Sequence, residues 1–398
     1  MADTHQERPS HAGLGRALMS GGALSSDWAP AYAAVPRAAF LPDLMWPWDM
    51  RAGKSVPVSR ADDPEAWRAY AESDCPIVTQ WDDGDHTGTE PGQVSTSSAS
   101  MPSVVFRMLR DLDVRRGHRV LEIGTGTGWN AGLLAHRVGP ANVVSVEVDG
   151  AVATAARGAL ERFGAPVEVV HGDGAEGHPA GAPYDRVLAT CGLRTIPYAW
   201  VTQVRPGGLV VSPWGTHYGN GDAVARLVVS DDGRSASGRF TGPVEFMKLR
   251  AHRPPQVAHR DYVPGSVADG DETSTAVTED EFVGGPFSAL RFVLGLRVPR
   301  CLQVVAEKRE GARPVWLYGL GDRSWACVQF REGGAARVWQ HGDRRLWDEA
   351  EAAYRWWTER GRPEHDRFGL TADADGERAW LDHPGNAWRL RVPGASRP

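Results

Sequence analysis

Three glycines spaced two apart, Gly124, Gly126 and Gly128, close the apolar run Val120-Leu121-Glu122-Ile123 and open onto Trp129-Asn130. Glycine lacks the Cβ that would block a sharp turn or hold a ligand away from the backbone. Glu122 stands inside the apolar run, where an unpaired carboxylate is costly to bury. The cationic end of a methionine moiety, or water and backbone near it, is the partner this chemistry suggests. Glu147 follows Glu122 by 25 residues, at the end of a second strand-like run, Asn142 to Val146. An acid at that place accepts hydrogen bonds from two ribose hydroxyls. A third acid lies in Asp173-Gly174, after Val167-Glu168-Val169-Val170. Alone it reads as a β-turn; in company with the other two, it is placed to take an adenine amine. Glu122, Gly124, Thr125, Gly126, Gly128, Glu147, Asp173 and Gly174 therefore read as a nucleoside site. The run departs from the strict G-x-G-x-x-G of pyrophosphate binders, which points to S-adenosylmethionine and away from NAD.

Such residues converge only if strands and helices alternate. The pattern predicts a strand at 119–123, a helix at 129–138, a strand at 142–146, a helix at 150–163, strands at 167–171 and 185–190, and a helix at 197–204. Pro206-Gly207-Gly208 then turns into a strand at 209–213. This alternation implies a parallel sheet with helices on both faces and a ligand beyond the carboxyl ends of its strands. Glu122 to Gly128, Glu147, Asp173 and Thr190-Cys191-Gly192 all fall at that edge. Upstream, Ser100 is an N-cap, Pro102 fits a first helical turn, and Val104, Val105, Met108, Leu109 and Leu112 follow at helical spacing.

Residues 13–50 read as one or two short helices, and the acidic, turn-rich 81–93 as a solvated loop. Pro, Gly and polar residues mark 255–283 as a linker or long loop. Beyond it, Pro314–Gly319, Ser324–Phe330 and Ala336–Gln340 alternate as an antiparallel meander, and Leu346–Glu359 is an amphipathic helix. Phe368–Leu370 and Arg378–Leu381 flank a hairpin turn. The expected division is a cofactor-binding domain at 1–250, a connector at 251–283, and an α+β domain at 284–398 that is structural or recognises substrate.

At 398 residues the chain is long for one domain. A net charge of −6 gives no basic footprint for nucleic acid. No apolar stretch approaches the ~20 residues of a membrane span, and Met1 to Arg16 has no signal-peptide core. The four cysteines are scattered without C-x-x-C spacing, which suggests reduced thiols in a cytoplasm and no metal site. The 16 tryptophans are unusual; most are expected in the core and some on a surface that grips a peptide.

Several segments together resemble the protein-L-isoaspartate O-methyltransferase family over about residues 28–230. Val35-Pro36-Arg37 with Phe40-Leu41-Pro42 is similar to its N-terminal motif, and Asp74-Cys75-Pro76-Ile77 to its D-x-P-I segment. Ser98-Ala99-Ser100-Met101-Pro102-Ser103-Val104-Val105 resembles its T-I-S-x-P-x-x-V segment. Val120 to Gly128, Gly172-Asp173-Gly174, Ile196-Pro197 and Pro206-Gly207-Gly208 match later motifs. The resemblance implies a Rossmann-like S-adenosylmethionine-dependent methyltransferase fold with a C-terminal α+β extension, acting on a carboxylate of a peptide or protein that bears aspartate or isoaspartate.

On the Pro102 anchor, Ser100 takes the place of the family's active-site serine; the run Ser95-Thr96-Ser97-Ser98-Ala99-Ser100 lets the register slip, which makes Ser98 the alternative. Two departures stand out. Twenty residues separate Ile77 from Ser98, where the family has a few, and the family's repair enzymes are shorter and lack 255–398. A long chain with a Trp-rich extension resembles the variants that methylate an ordinary aspartate in ribosomally made modified peptides, giving aspartimide and then isoaspartate. The competing readings are an isoaspartate repair methyltransferase and a non-catalytic peptide-binding module.

Overall fold

The Val120–Ile123 strand is buried at all four positions. A strand apolar on both faces belongs inside a parallel sheet covered by helices, and the computed structural model, which describes residues 9–285, 287–332 and 334–390, places it there. Contacts divide the chain into two units. The first takes the chain up to Cys191 with Ala199–Ser212 and Val228–Gly233; the second takes Gly192–Tyr198, Pro213–Leu227 and the chain from Arg234 onward. This division falls elsewhere than the expected boundaries at 250 and 284, because the strands that follow Cys191 carry the chain from one unit to the other more than once.

In the first unit the strands run in the order Val204–Trp214, Tyr184–Ala189, Val120–Ile123, Val143–Glu147, Glu168–His171, each parallel to the next. The chain lays two strands outward from Val120–Ile123 and then returns to its other side. That reversal makes a crevice between the carboxyl ends of Val120–Ile123 and Tyr184–Ala189, where such sheets bind ligands. The helices Trp129–Val138 and Gly150–Phe163 lie where the sequence expects them. The expected Pro206-Gly207-Gly208 turn is instead an irregularity inside the long strand Val204–Trp214, whose register shifts between Val204 and Leu209.

A smaller antiparallel sheet in the same unit carries the serine segment. Its order is Lys54–Ser55, Leu44–Asp49, Ile77–Trp81, Ser95–Ala99. The helical reading of 13–50 holds for His11–Ser20 and Ala29–Ala34 but fails at Leu44–Asp49. Pro47 is unsuited to a helix interior, and Trp46 and Pro47 find partners in Val78 and Ile77. Arg37 ties this sheet together. Its guanidinium is buried, donates to the carbonyls of Cys75 (3.0 Å), Ala99 (2.7 Å) and Ser73 (3.4 Å), and lies 5.7 Å from the Trp129 ring centre. Burial pulls it down to about 10, so it stays charged at neutral pH. Trp129 in turn donates its indole N–H to the carbonyl of Val35 at 3.0 Å.

The second unit contains a five-stranded antiparallel sheet in the order Asp271–Thr275, Ala336–His341, Trp325–Arg331, Ala312–Gly319, Cys301–Val305. The expected meander is its centre, and Asp271–Thr275 shows that part of the expected connector is a sheet strand. Leu346–Glu359 buries Leu346, Ala350, Ala353 and Trp357, the face its spacing implies. Phe368–Asp373 and Gly376–Leu381 form the expected hairpin. Lys248 donates to the fully buried Asp222 carboxylate, and Arg194 lies 3.5 Å from its other oxygen. Trp28, Trp200, Trp214, Trp325 and Trp347 are among the most deeply buried side chains, so much of the tryptophan content is core. Among the described residues no helix is long and apolar enough to cross a membrane, and no three His, Cys, Asp or Glu side chains group as metal ligands.

Arg37→Ala leaves buried carbonyls without donors, each costing about 1–3 kcal/mol. The variant is expected to unfold in urea with a loss of about 3 kcal/mol or more. A loss below about 1 kcal/mol would show that the guanidinium does not hold the sheet.

Candidate active site

All three glycines of the turn are left-handed, with φ of +91° at Gly124, +54° at Gly126 and +88° at Gly128. A Cβ at Gly124 would stand 2.8 Å from Thr190 Oγ1, and one at Gly126 would stand 3.2 Å from the carbonyl of Ser98. The turn is thus pressed on one side by the end of Tyr184–Ala189 and on the other by the serine strand. Thr190 reinforces the first contact by donating its hydroxyl to the carbonyls of Ile123 (3.1 Å) and Gly124. Only glycine meets both the dihedral and the steric demand here.

The two acids of the first strands do different work. Glu122 is fully buried. It accepts from Asn130 Nδ2 at 2.6 Å and from the Ser145 hydroxyl at 2.5 Å, and Ser145 is 2.6 Å from the Thr125 hydroxyl. These internal partners tie the carboxyl to the helix after the glycine turn and to the neighbouring strand. Burial pushes it up to about 7, against the lowering effect of the Ser145 and Asn130 hydrogen bonds. Glu147, at the end of the next strand, accepts from the N–H of Gly126 (3.0 Å) and of Asp149 (3.1 Å). A carboxylate has about four acceptor positions, so two hydroxyls still find room. Asp173 accepts from the Ala175 N–H at 2.9 Å, the turn its sequence implies, and Gly172 N–H bonds the Glu147 carbonyl at 2.9 Å, which brings the Asp173-Gly174 loop to the same edge.

The residues fit S-adenosylmethionine. A Cβ-free cradle, an acid with acceptor capacity at the second strand end and a third acid one strand further match its methionine, ribose and adenine in turn.

The serine segment differs from expectation at its cap. The N-cap of the Pro102–Leu112 helix is Met101, and its side chain makes no capping bond. Asp74 does that work from 29 residues upstream, accepting from the Ser103 N–H at 2.8 Å. Ser100 is released from capping; it is half-buried, and its hydroxyl bonds none of the described residues. It follows directly on Ala99, whose carbonyl Arg37 holds. Ser98 pairs with Val78, and its carbonyl faces the glycine turn. Sequence reasoning gave Arg37 and Asp74 no role beyond their motifs and missed Asn130, Ser145, Asp149 and Gln80. Asp149 had a signal, since an Asp before a helix is a common N-cap and it accepts from Ala151 N–H and Val152 N–H. Gln80 had none.

A family profile described as protein-L-isoaspartate(D-aspartate) O-methyltransferase matches residues 68–252. A protein-L-isoaspartate O-methyltransferase of Methylorubrum extorquens is 34% identical over 219 residues, 55% of this chain and 78% of that protein. The chain belongs to the protein-L-isoaspartate O-methyltransferase family. A relative of the same name from Methanopyrus kandleri is 38% identical over 154 residues, 38% of this chain and 61% of that protein. The match spans 54% of the length of a Pyrococcus horikoshii relative. A solved protein-L-isoaspartate O-methyltransferase superposes with a TM-score of 0.53 at 22% identity, covering 94% of this chain and all of its own. At that identity the likeness is one of fold. It nevertheless corrects one expectation, because the 94% coverage takes in most of 255–398: the family does contain a structure with a counterpart to the extension.

The Glu122 carboxyl carries a pH signature for this family member. Its folded value of about 7 lies above the ordinary value of 4.5, so folding favours the neutral form. That contribution is complete below the ordinary value and is lost as pH rises through 7, a swing of about 3 kcal/mol. Glu122→Gln should flatten this part of the stability profile between pH 5 and 8, read from denaturant midpoints. An unchanged slope would mean that Glu122 is ionised throughout.

Proposed function

We propose that this chain transfers the methyl group of S-adenosylmethionine to a carboxylate of an isoaspartyl residue in a peptide or protein. The observation that carries the reading is the packing of the serine strand on the glycine turn, with the Ser98 carbonyl against Gly126. It brings a hydroxyl-bearing segment to the edge where the cofactor's methyl would be presented. The names of the relatives supply the acceptor class.

Bound S-adenosylmethionine supplies a sulfonium methyl that an acceptor carboxylate oxygen takes as the carbon–sulfur bond returns its electron pair to sulfur. The free carboxyl of an isoaspartyl residue is its α-carboxyl, already ionised at neutral pH with a pKa of about 3.3–3.7, so the residues have no proton to remove. Their work is placement, which can supply about 7–11 kcal/mol of a barrier. Glu147 holds the ribose hydroxyls, the glycine turn admits the methionine backbone, and Ser100 donates a hydrogen bond to the incoming carboxylate. Arg37, through the Ala99 carbonyl, sets where Ser100 stands.

A second reading has one structural feature in its favour. The residues between Ile77–Trp81 and Ser95–Ala99 are largely exposed, as the sequence expects, and are pinned by specific hydrogen bonds. The Asp82 carboxylate accepts from the Gln93 N–H (3.0 Å) and Val94 N–H (2.7 Å), and Trp46 donates to the Thr89 carbonyl at 2.7 Å. An added wall at the serine strand suits a dedicated substrate, such as an ordinary aspartate in a constrained, ribosomally made peptide. There the ester would collapse on a backbone nitrogen to aspartimide, releasing methanol, with hydrolysis to isoaspartate afterwards. The extension no longer argues for this reading.

Mass spectrometry after incubation with S-adenosylmethionine separates the two. Methylation of an isoaspartyl peptide and not of its aspartyl twin is the expected result; methyl gain followed by net loss of water on a precursor peptide encoded beside the gene would favour the second reading. Ser100→Ala should lower kcat/KM for the isoaspartyl peptide roughly ten- to hundredfold, the effect of one hydrogen bond to a charged group. An unchanged value in a folded variant, with the loss appearing in Ser98→Ala, would move the role to Ser98.

A further inference from the structure

Gln80 occupies an irregular place in its strand. The register between Ile77–Trp81 and Ser95–Ala99 shifts on both sides of it, between Val78 and Gln80 and again between Gln80 and Trp81. Bulges of this kind re-aim a side chain beside functional sites. Here the amide Nε2 donates to Asp149 Oδ2 at 3.3 Å, while Oε1 accepts from the Thr96 hydroxyl at 2.8 Å. Thr96 Oγ1 also accepts from the Asp83 N–H at 3.2 Å, at the start of the 82–94 excursion. Gly84 closes over the same amide, since a Cβ there would lie 3.2 Å from Nε2. On the far side, the Asp149 N–H bonds Glu147 Oε1. A continuous chain of hydrogen bonds thus runs from the excursion through Thr96, Gln80 and Asp149 to the acid assigned to the ribose.

We infer that Gln80 is a positioning residue for the cofactor: it holds Asp149, and through it Glu147, in the orientation that accepts the ribose hydroxyls, and it makes that orientation depend on the seated excursion. The inference rests on the S-adenosylmethionine reading proposed above. A polar side chain with one donor bond and one acceptor bond, placed at a strand irregularity, is oriented at both ends, so it limits which way the Asp149 carboxylate can turn. A substrate that contacts the excursion would then alter the grip on the cofactor through this chain.

The test is calorimetric titration of the full chain with S-adenosylhomocysteine and with its 2′-deoxy analogue. The unaltered protein is expected to prefer the hydroxylated ligand. Gln80→Ala should weaken S-adenosylhomocysteine roughly three- to tenfold, the range of one modest hydrogen bond, leave the deoxy analogue nearly unchanged, and so erase most of the preference. Thr96→Val, which frees the other end of the amide, should shift the preference in the same direction. Equal weakening of both ligands, or none, would overturn the inference, because a residue that merely supports the fold does not discriminate between them. Failure of the unaltered chain to bind S-adenosylhomocysteine would overturn the cofactor reading itself, and is distinguishable from failure at Gln80 alone.

Discussion

A guanidinium buried among main-chain carbonyls is the constraint on which the catalytic side of the first unit depends. Arg37 holds two segments that are far from it and from each other in the chain, the Ser73–Cys75 stretch and the end of Ser95–Ala99. The carbonyls of Cys75 and Ala99 belong to buried residues, where an acceptor without a donor is costly. A planar group with five donors can serve several such acceptors at once, which a lysine cannot. Because Ala99 is the residue before Ser100, the same bonds that satisfy the interior also fix where the serine stands. Stability and placement of the hydroxyl are one interaction here.

The carboxylates of the site are sorted by what surrounds them. Glu122 sits beneath the turn among Asn130, Ser145 and Thr125, with no exposed surface. Glu147 sits at the strand end on main-chain N–H donors and keeps acceptor capacity. Both acids fall at the edge where the sequence places a cofactor, and they differ in burial and in hydrogen-bond partners. Asp74 and Asp149 are spent on helix starts, one distant and one local. By capping the Pro102–Leu112 helix from another segment, Asp74 leaves Ser100 with its hydroxyl unengaged, a division of labour that a local sequence window cannot display.

The 82–94 excursion stays largely exposed yet is tied down by hydrogen bonds at its base. Four acids and several turn residues look like solvent-exposed loop. Asp82 instead turns inward on its own segment, and Trp46 covers it with both a hydrogen bond and edge-to-face contacts to Trp81 and His86. The excursion lies beside the serine strand, and Thr96, Gln80 and Asp149 link it by hydrogen bonds to Glu147.

The sequence by itself determined the alternating strands and helices, the glycine turn, the acids at the strand ends and the family. These are local matters: hydrophobic period, left-handed glycine positions and short motifs are written in neighbouring residues. It also determined the meander and the Leu346–Glu359 helix, whose periodicity is strong. Tertiary structure alone decided the hydrogen-bond partners of each acid, that Leu44–Asp49 is a strand, that Asp74 caps a distant helix, that Gln80 bonds Asp149, and that Arg37 bonds the Ala99 carbonyl. Each of these depends on groups separated by tens of residues. Burial and long-range hydrogen bonding are properties of the assembled neighbourhood, and no window of sequence contains them.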